Sequence, residues 1–356
     1  MKEEMTSLER VMYAIHHQEP DRVPVWVQGP CQRIIGRTIP EFCLNPEVQA
    51  KAQIKLWEYC ETDVVKLTPD AFFDSSAWGT KVKWDELSTE LPGAIEYGVK
   101  TPEDWEKLEV QDPKRDGRLP FQLRAADIAV RRTKNKVPIC AVIYSVLTWA
   151  SHVRKLDDLG IDMLTAPGLL KKGLETITET AIEYVKCLSE TGIHMIYYNV
   201  NRASAELMPW EQYEEFGVPY DLRVLKAIRK EGIKVFLHSC GAEPYIYKLA
   251  EVECVEGAGD TINWWDRGGR SATIKEAKEK IGDKVCLCAG IDQVSTIMSS
   301  PEAVEAEAKD AIEQGMQGGG FWLGVGCFIP GNVSYENIRA ISRAAKKYSN
   351  YLKRNE

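Results

Sequence analysis

The chain has no run approaching the ~18 consecutive apolar residues that a membrane-spanning helix needs, and its charged start, Met1-Lys2-Glu3-Glu4, is not followed by an apolar signal core. A cytoplasmic protein that does not engage a membrane is the expectation. Lys and Arg are nowhere gathered into a block, and the net charge is -8. Phosphate backbones are bound by clustered cations that displace counterions, so nucleic acid is excluded as a partner. The Lys- and Arg-bearing tail 346–354 reads as the solvated end of a final helix. No Gly-x-Gly-x-x-Gly leads from a strand into a helix and no Walker loop occurs, which removes the common nucleotide sites. No repeat of fixed period and no low-complexity segment is present, so solenoids are excluded as well.

What is there is the composition of a globular protein with a large core, 44% hydrophobic and 28% charged over 356 residues. That length suits one large α/β barrel or two ordinary domains. Ten cysteines are scattered through apolar strand-like and helix-like segments with no secretory signal, so reduced thiols are expected in place of a disulfide framework. Most of them, including Cys43, Cys60, Cys140 and Cys187, read as small buried hydrophobes.

Short apolar runs rich in Val, Ile and aromatics alternate with longer amphipathic segments, the signature of repeated βα units. Eight strands are predicted, at 23–27, 63–67, 137–144, 194–200, 234–238, 261–265, 284–288 and 320–325. Eight strands with helices between them predict a (β/α)8 TIM barrel, with an open sheet as the alternative. Residues 1–356 are then a single barrel domain. Pro209 and Glu211 open a helix to Lys230 that Gly232 stops, and Ser300-Pro301-Glu302 opens another that Gly315 ends. Residues 74–110 form an inserted irregular segment between the second and third strands. Its alternating Lys81-Val82-Lys83-Trp84 and Pro92-Gly93 turn predict a hairpin at the barrel rim.

In such a barrel the C-terminal strand ends face the active-site mouth. They carry Trp26 and Gln28; Lys66 and Asp70; Tyr144 and Trp149; Tyr198, Asn199, Asn201 and Arg202; His238 and Cys240; Trp265, Asp266 and Arg267; Cys288 and Asp292; and Cys327. His238 and Cys240 stand two apart at a strand end and so point to one side. One imidazole and two sulfurs, with Cys327 reached across the mouth, match a catalytic zinc site of three protein ligands and an open fourth position. Cys288 is a rival ligand but is better read as lining the wall; Asp266 is an oxygen ligand or a partner orienting the imidazole, or, the commoner case, caps the next helix or pairs with Arg267. The other reading of all three residues is a hydrogen-bonded histidine beside two inert thiols. Trp26, Tyr144, Trp149, Tyr198, Trp264 and Trp265 could form a flat apolar pocket for a planar substrate or a ring cofactor, or could be ordinary core. Trp26, Tyr144, Tyr198, Asn199, Trp265 and Asp266 are taken as the substrate-binding set.

Leu8-Glu9-Arg10-Val11 and Glu19-Pro20-Asp21-Arg22-Val23-Pro24-Val25 resemble the start of the uroporphyrinogen decarboxylase superfamily. His238-Ser239-Cys240-Gly241, Asn263-Trp264-Trp265-Asp266-Arg267, Ala289-Gly290-Ile291-Asp292 and the closing Gly326-Cys327 with Glu336-Asn337-Ile338 resemble its corrinoid-dependent methyltransferase branch. The resemblance spans nearly the whole chain and implies a (β/α)8 barrel. It also implies zinc on His238, Cys240 and Cys327, acting in methyl transfer between cobalamin and a small methylated substrate or a thiol. The decarboxylases carry Arg-Gln-Ala-Gly-Arg just after the first strand to grip substrate carboxylates. Here Gln28-Gly29-Pro30-Cys31-Gln32-Arg33 stands instead, which disfavours a tetrapyrrole substrate. None of the five histidines lies in an Asp-x-His-x-x-Gly cobalamin-binding sequence, so the corrinoid is expected on a separate protein. The aromatic strand ends favour an aryl methyl ether as methyl donor. A methylcobalamin:thiol methyltransferase of the coenzyme M type is the alternative, followed by a decarboxylase and a non-catalytic zinc protein.

Overall fold

Eight parallel strands and the helices that follow them make a curled α/β barrel in the computed structural model, which describes residues 5–252 and 261–349. Met1-Lys2-Glu3-Glu4 and the last residues of the basic tail lie outside those described. The strands are β1 (Val25–Trp26), β2 (Val65–Leu67), the inserted β3 (Lys81–Val82) and β4 (Ala94–Glu96), then β5 (Ile139–Tyr144) and β6 (Met195–Val200). They continue with β7 (Lys234–Ser239), β8 (Thr261–Asn263), β9 (Cys286–Ile291) and β10 (Phe321–Val325). Parallel pairing runs β1-β10-β9-β8-β7-β6-β5-β2. The two ends of that ladder meet where the Asp63 N–H donates to Val25 O at 2.7 Å and the Val25 N–H donates to the Asp63 carboxylate at 2.8 Å. No helix of the described residues is long and apolar enough to cross a membrane.

Each of the eight expected strands is present, because a strand buried on both faces must be apolar along its whole length and so stands out as a continuous run. The barrel interior is packed with Trp26, Tyr197, Phe236 and Trp322, whose rings meet at 4.8 to 5.5 Å. The inserted segment contains the expected hairpin, β3 antiparallel to β4. It rests on the mouth: Gly331 passes so close beneath it that a Cβ there would lie 1.8 Å from Thr89 O.

Two expectations need correction. The segment from Pro209 to Lys230 is two helices, Trp210–Phe216 and Val218–Lys230. Pro219 has no N–H to continue the ladder and its ring crowds the preceding turn, so the chain breaks at Gly217. Gly217 in turn sits where any Cβ would lie 2.6 Å from the Tyr213 ring. The seventh barrel strand runs to Ile291 rather than stopping at Cys288, because Ala289-Gly290-Ile291 continue the same fully buried run. Cys288 is therefore a wall residue and not a strand end.

Candidate metal centre

Parallel register places Tyr144, Asn199, His238 and Asn263 side by side at one level across β5, β6, β7 and β8. Register partners point the same way and neighbours along a strand point oppositely. His238, 1% exposed, thus shares the inner face with Tyr197 and Asn199, and its ring stacks on Tyr197 at 5.3 Å.

Asn263 fixes the imidazole. Its amide nitrogen donates to Cys288 O at 2.8 Å and to Val325 O at 3.0 Å. Its oxygen then faces His238 Nδ1 at 2.6 Å. Nδ1 must carry the proton, so Nε2 presents a lone pair, the form a metal ligand requires. Nε2 lies 3.6 Å from Cys327 Sγ, and Cys327 Sγ lies 3.6 Å from Cys240 Sγ. Tetrahedral zinc, ~2.3 Å from sulfur and ~2.0 to 2.1 Å from nitrogen, separates two such sulfurs by about 3.7 Å and a sulfur from a nitrogen by about 3.6 Å. The three ligand atoms thus fit one zinc ion, and all lie within 4.8 Å of one another. Among the described residues no fourth His, Cys, Asp or Glu joins them. The hydrogen bond between the two sulfurs holds the Cys327 thiol well below the usual thiol range against the opposing effect of burial, and His238 adds to this. The same hydrogen bond, and then burial, push Cys240 up.

Asn263→Ala is expected to weaken zinc binding by roughly 10- to 100-fold, the usual consequence of losing a partner that orients a metal-bound histidine. Competition with a fluorescent zinc chelator reads this directly, and unchanged affinity would remove Asn263 from the centre.

The other expected site residues divide. Tyr144 is level with Asn199 and His238 on the inner face, and burial, then Asp74 and Asp70, and after them Cys327 and Cys240, push its hydroxyl up. Asn199 is level with His238, and its Oδ1 is buried without a partner among the described residues. Trp265 backs onto Gly326, beside Cys327, with its buried Nε1 likewise unpartnered among the described residues. Trp26 is deep interior packing. Tyr198 and Asp266 are not brought to the cluster. Tyr198 is one residue from Asn199 and so faces the helices, where its hydroxyl donates to buried Asp221 at 2.6 Å. Asp266 accepts from the Gly290 N–H at 2.9 Å and pairs with Arg267 at 3.0 Å. Trp264 is fully buried, its Nε1 on Ala272 O, and Trp149 packs against Trp78.

Arg202 departs from the other arginines named at the mouth. Arg267 is tied to Asp266 and Asp310, and Arg33 donates to Val333 O over the Tyr335 ring. Among the described residues Arg202 is held only through Nε, which donates to Ser151 Oγ at 3.1 Å. Burial pulls its pKa down, and the groups that support its charge are Cys240 and Tyr97, with no carboxylate among them. Gln28 is occupied by Lys66, whose Nζ donates to it at 2.6 Å, and by the Tyr197 hydroxyl, to which Gln28 Nε2 donates at 2.8 Å. Burial draws Lys66 down to about 7.

The family model described as uroporphyrinogen decarboxylase (URO-D) matches residues 6–348. The methylated-thiol--coenzyme M methyltransferase of Methanosarcina mazei is 24% identical over 98% of the chain and 91% of the relative. The methylcobamide:CoM methyltransferase MtaA of Methanosarcina barkeri is 25% identical over 97% and 99%. The uroporphyrinogen decarboxylase of Hydrogenovibrio crunogenus is 22% identical over 96% and 98%. Among solved structures, a methyltransferase from Methanosarcina mazei superposes with a TM-score of 0.84 at 24% identity, covering 97% of this chain and 99% of that one.

Proposed function

Given that the chain belongs to the uroporphyrinogen decarboxylase family, we propose that it is a zinc-dependent methyltransferase working between a small anionic thiol and the corrinoid of a separate protein. The observation that carries this reading is the set of three ligand atoms, His238 Nε2 and two sulfurs, spaced for one ion with no fourth protein ligand among the described residues. Zinc held there would supply Lewis acidity, keeping a substrate sulfur as thiolate. Asn263 holds His238 in the ligating tautomer, Tyr144 and Trp265 flank the open side, and Arg202 offers a guanidinium to an anionic group on the substrate. A corrinoid on a separate protein is the partner in keeping with the lack of an Asp-x-His-x-x-Gly sequence.

The rival readings have less support. A tetrapyrrole decarboxylase needs cations after the first strand, where Gln28 is tied to Lys66 and Tyr197 and Arg33 is turned to Val333 and Tyr335. A structural zinc needs a fourth ligand, and Cys288 is in the wall while Asp266 is engaged elsewhere. An aryl methyl ether donor, expected from the aromatic strand ends, retains only Tyr144 and Trp265 beside the centre.

One assay separates the two methyl-transfer readings. Zinc-loaded protein is expected to demethylate methylcobalamin with 2-mercaptoethanesulfonate, and not to methylate cob(I)alamin from methoxybenzoates, as followed by the cobalt spectrum. The converse pattern would establish the ether donor. Arg202→Met is expected to raise KM for 2-mercaptoethanesulfonate by about 10- to 100-fold, a lost charge-assisted hydrogen bond being worth ~1.5 to 3 kcal/mol. KM for neutral 2-mercaptoethanol should barely move. Equal changes for both thiols would sink the role given to Arg202.

A further inference from the structure

A thiol that becomes a methyl thioether loses a proton, and neither the sulfur ligands nor Arg202 provides a group to take it. The helix Val146–Val153, which follows β5, does. His152 in its last turn is 4% exposed, and its Nδ1 faces both carboxylate oxygens of Asp74 at 3.2 Å each. Asp74, at the start of the inserted segment, is 2% exposed. Burial pushes its carboxyl up, and the imidazole it faces offsets this in part. A proton fixed on Nδ1 leaves Nε2 as the acceptor, and no hydrogen bond from a described residue occupies it.

The ring packs against the row of side chains that carries the metal ligand His238: it stands edge-on to Tyr144, centroids 4.6 Å apart, and Tyr144 is level, through Asn199, with His238. Ser151, the adjoining residue, holds Arg202. Among the described residues, Asp74 is the charged side chain hydrogen-bonded to the ring. Phe72 packs against it, and Asp70, which also faces Asp74, is neutralised by Arg118.

We propose that His152, oriented by Asp74, is the general base of the methyl-transfer reaction, acting on the thiol whose anionic group Arg202 binds. The inference rests on the methyltransferase reading above. Nε2 takes the thiol proton and the S–H electron pair stays on sulfur. That pair forms the S–CH3 bond as the Co–C bond of methylcobamide on the partner protein breaks, its electrons remaining on cobalt. The imidazolium, balanced by Asp74, then releases the proton to water. A positioned base of this kind contributes on the order of 10²- to 10⁴-fold, and its contribution shrinks as the proton it removes becomes more acidic.

The test uses zinc-loaded protein, methylcobalamin and two anionic thiols, 2-mercaptoethanesulfonate and the more acidic 4-mercaptobenzenesulfonate, at neutral pH. His152→Gln is expected to slow transfer about 100-fold with the alkyl thiol and less than about threefold with the aryl thiol, which arrives ionised. Bound zinc should be unchanged. Asp74→Asn should show the same selectivity with a smaller loss. Equal losses with both thiols, or loss with neither, would overturn the assignment and leave the methyltransferase reading standing. A wild-type protein that methylates neither thiol would overturn both.

Discussion

Cys327→Ala is expected to lower methyl transfer roughly 10³-fold or more and to take bound zinc well below one per chain, with the unfolding midpoint little changed. A Lewis acid contributes several kcal/mol to the charge separation it supports, and each ~1.4 kcal/mol is a decade in rate. Cys327 Sγ is the atom that links the set, 3.6 Å from both Cys240 Sγ and His238 Nε2. Its loss leaves two ligands on β7 and the loop beyond it with nothing opposite. The fold should tolerate the change because Cys327 is only partly buried, in the loop after β10. Cys288→Ala is the matched control: it removes a fully buried wall sulfur and should cost stability while leaving zinc in place. Metal analysis, transfer rate and thermal unfolding on the two variants decide the matter. Full zinc and full activity in Cys327→Ala would end the metal hypothesis.

The barrel was legible because its signal is local. Each strand is a short apolar run, and eight such runs with amphipathic segments between them leave few architectures. His238 and Cys240 were legible for the same reason, since a spacing of two at a strand end puts both side chains on one side. The errors came from two sources. Tyr198 and Asn199 cannot both face the mouth, because adjacent strand residues alternate, and the aromatic count at strand ends concealed this. The rest depends on partners distant in sequence. Asn263 is 25 residues from His238, and Asp74 is 78 residues from His152. Neither pairing has a spacing that a reader of the chain could recognise. Arg202 stood among the strand-end residues, but what distinguishes it is the lack of a carboxylate beside it among the described residues, and only the three-dimensional arrangement displays that.

Asp63→Ala should be the most damaging single change to stability, at about 3 to 5 kcal/mol, without altering the metal centre. Asp63 is fully buried at the end of the barrel opposite the mouth. It accepts from Arg10 Nη1 at 2.7 Å, Arg22 Nη1 at 2.7 Å, Ser7 Oγ at 2.9 Å and the Val25 N–H at 2.8 Å. Removing it leaves two arginines short of a buried counter-charge, the circumstance in which breaking an ion pair is most costly. It also deprives the junction of β1 and β2 of one of its two hydrogen bonds. Burial alone would raise the Asp63 carboxyl, but Arg22 and then Arg10 outweigh it and hold the group below the usual carboxylate range. A depressed folded-state pKa means that this contribution is fully present above the unfolded value of ~3.9 and is lost as pH falls below it toward the folded value. The wild-type unfolding free energy should therefore drop on acidification below about pH 4, and Asp63→Asn, already without the charge, should drop less steeply there. Urea unfolding of the three proteins at pH 7 and pH 3 measures both effects. An Asp63→Ala protein as stable as wild type at pH 7 would mean that the barrel does not depend on this junction for closure.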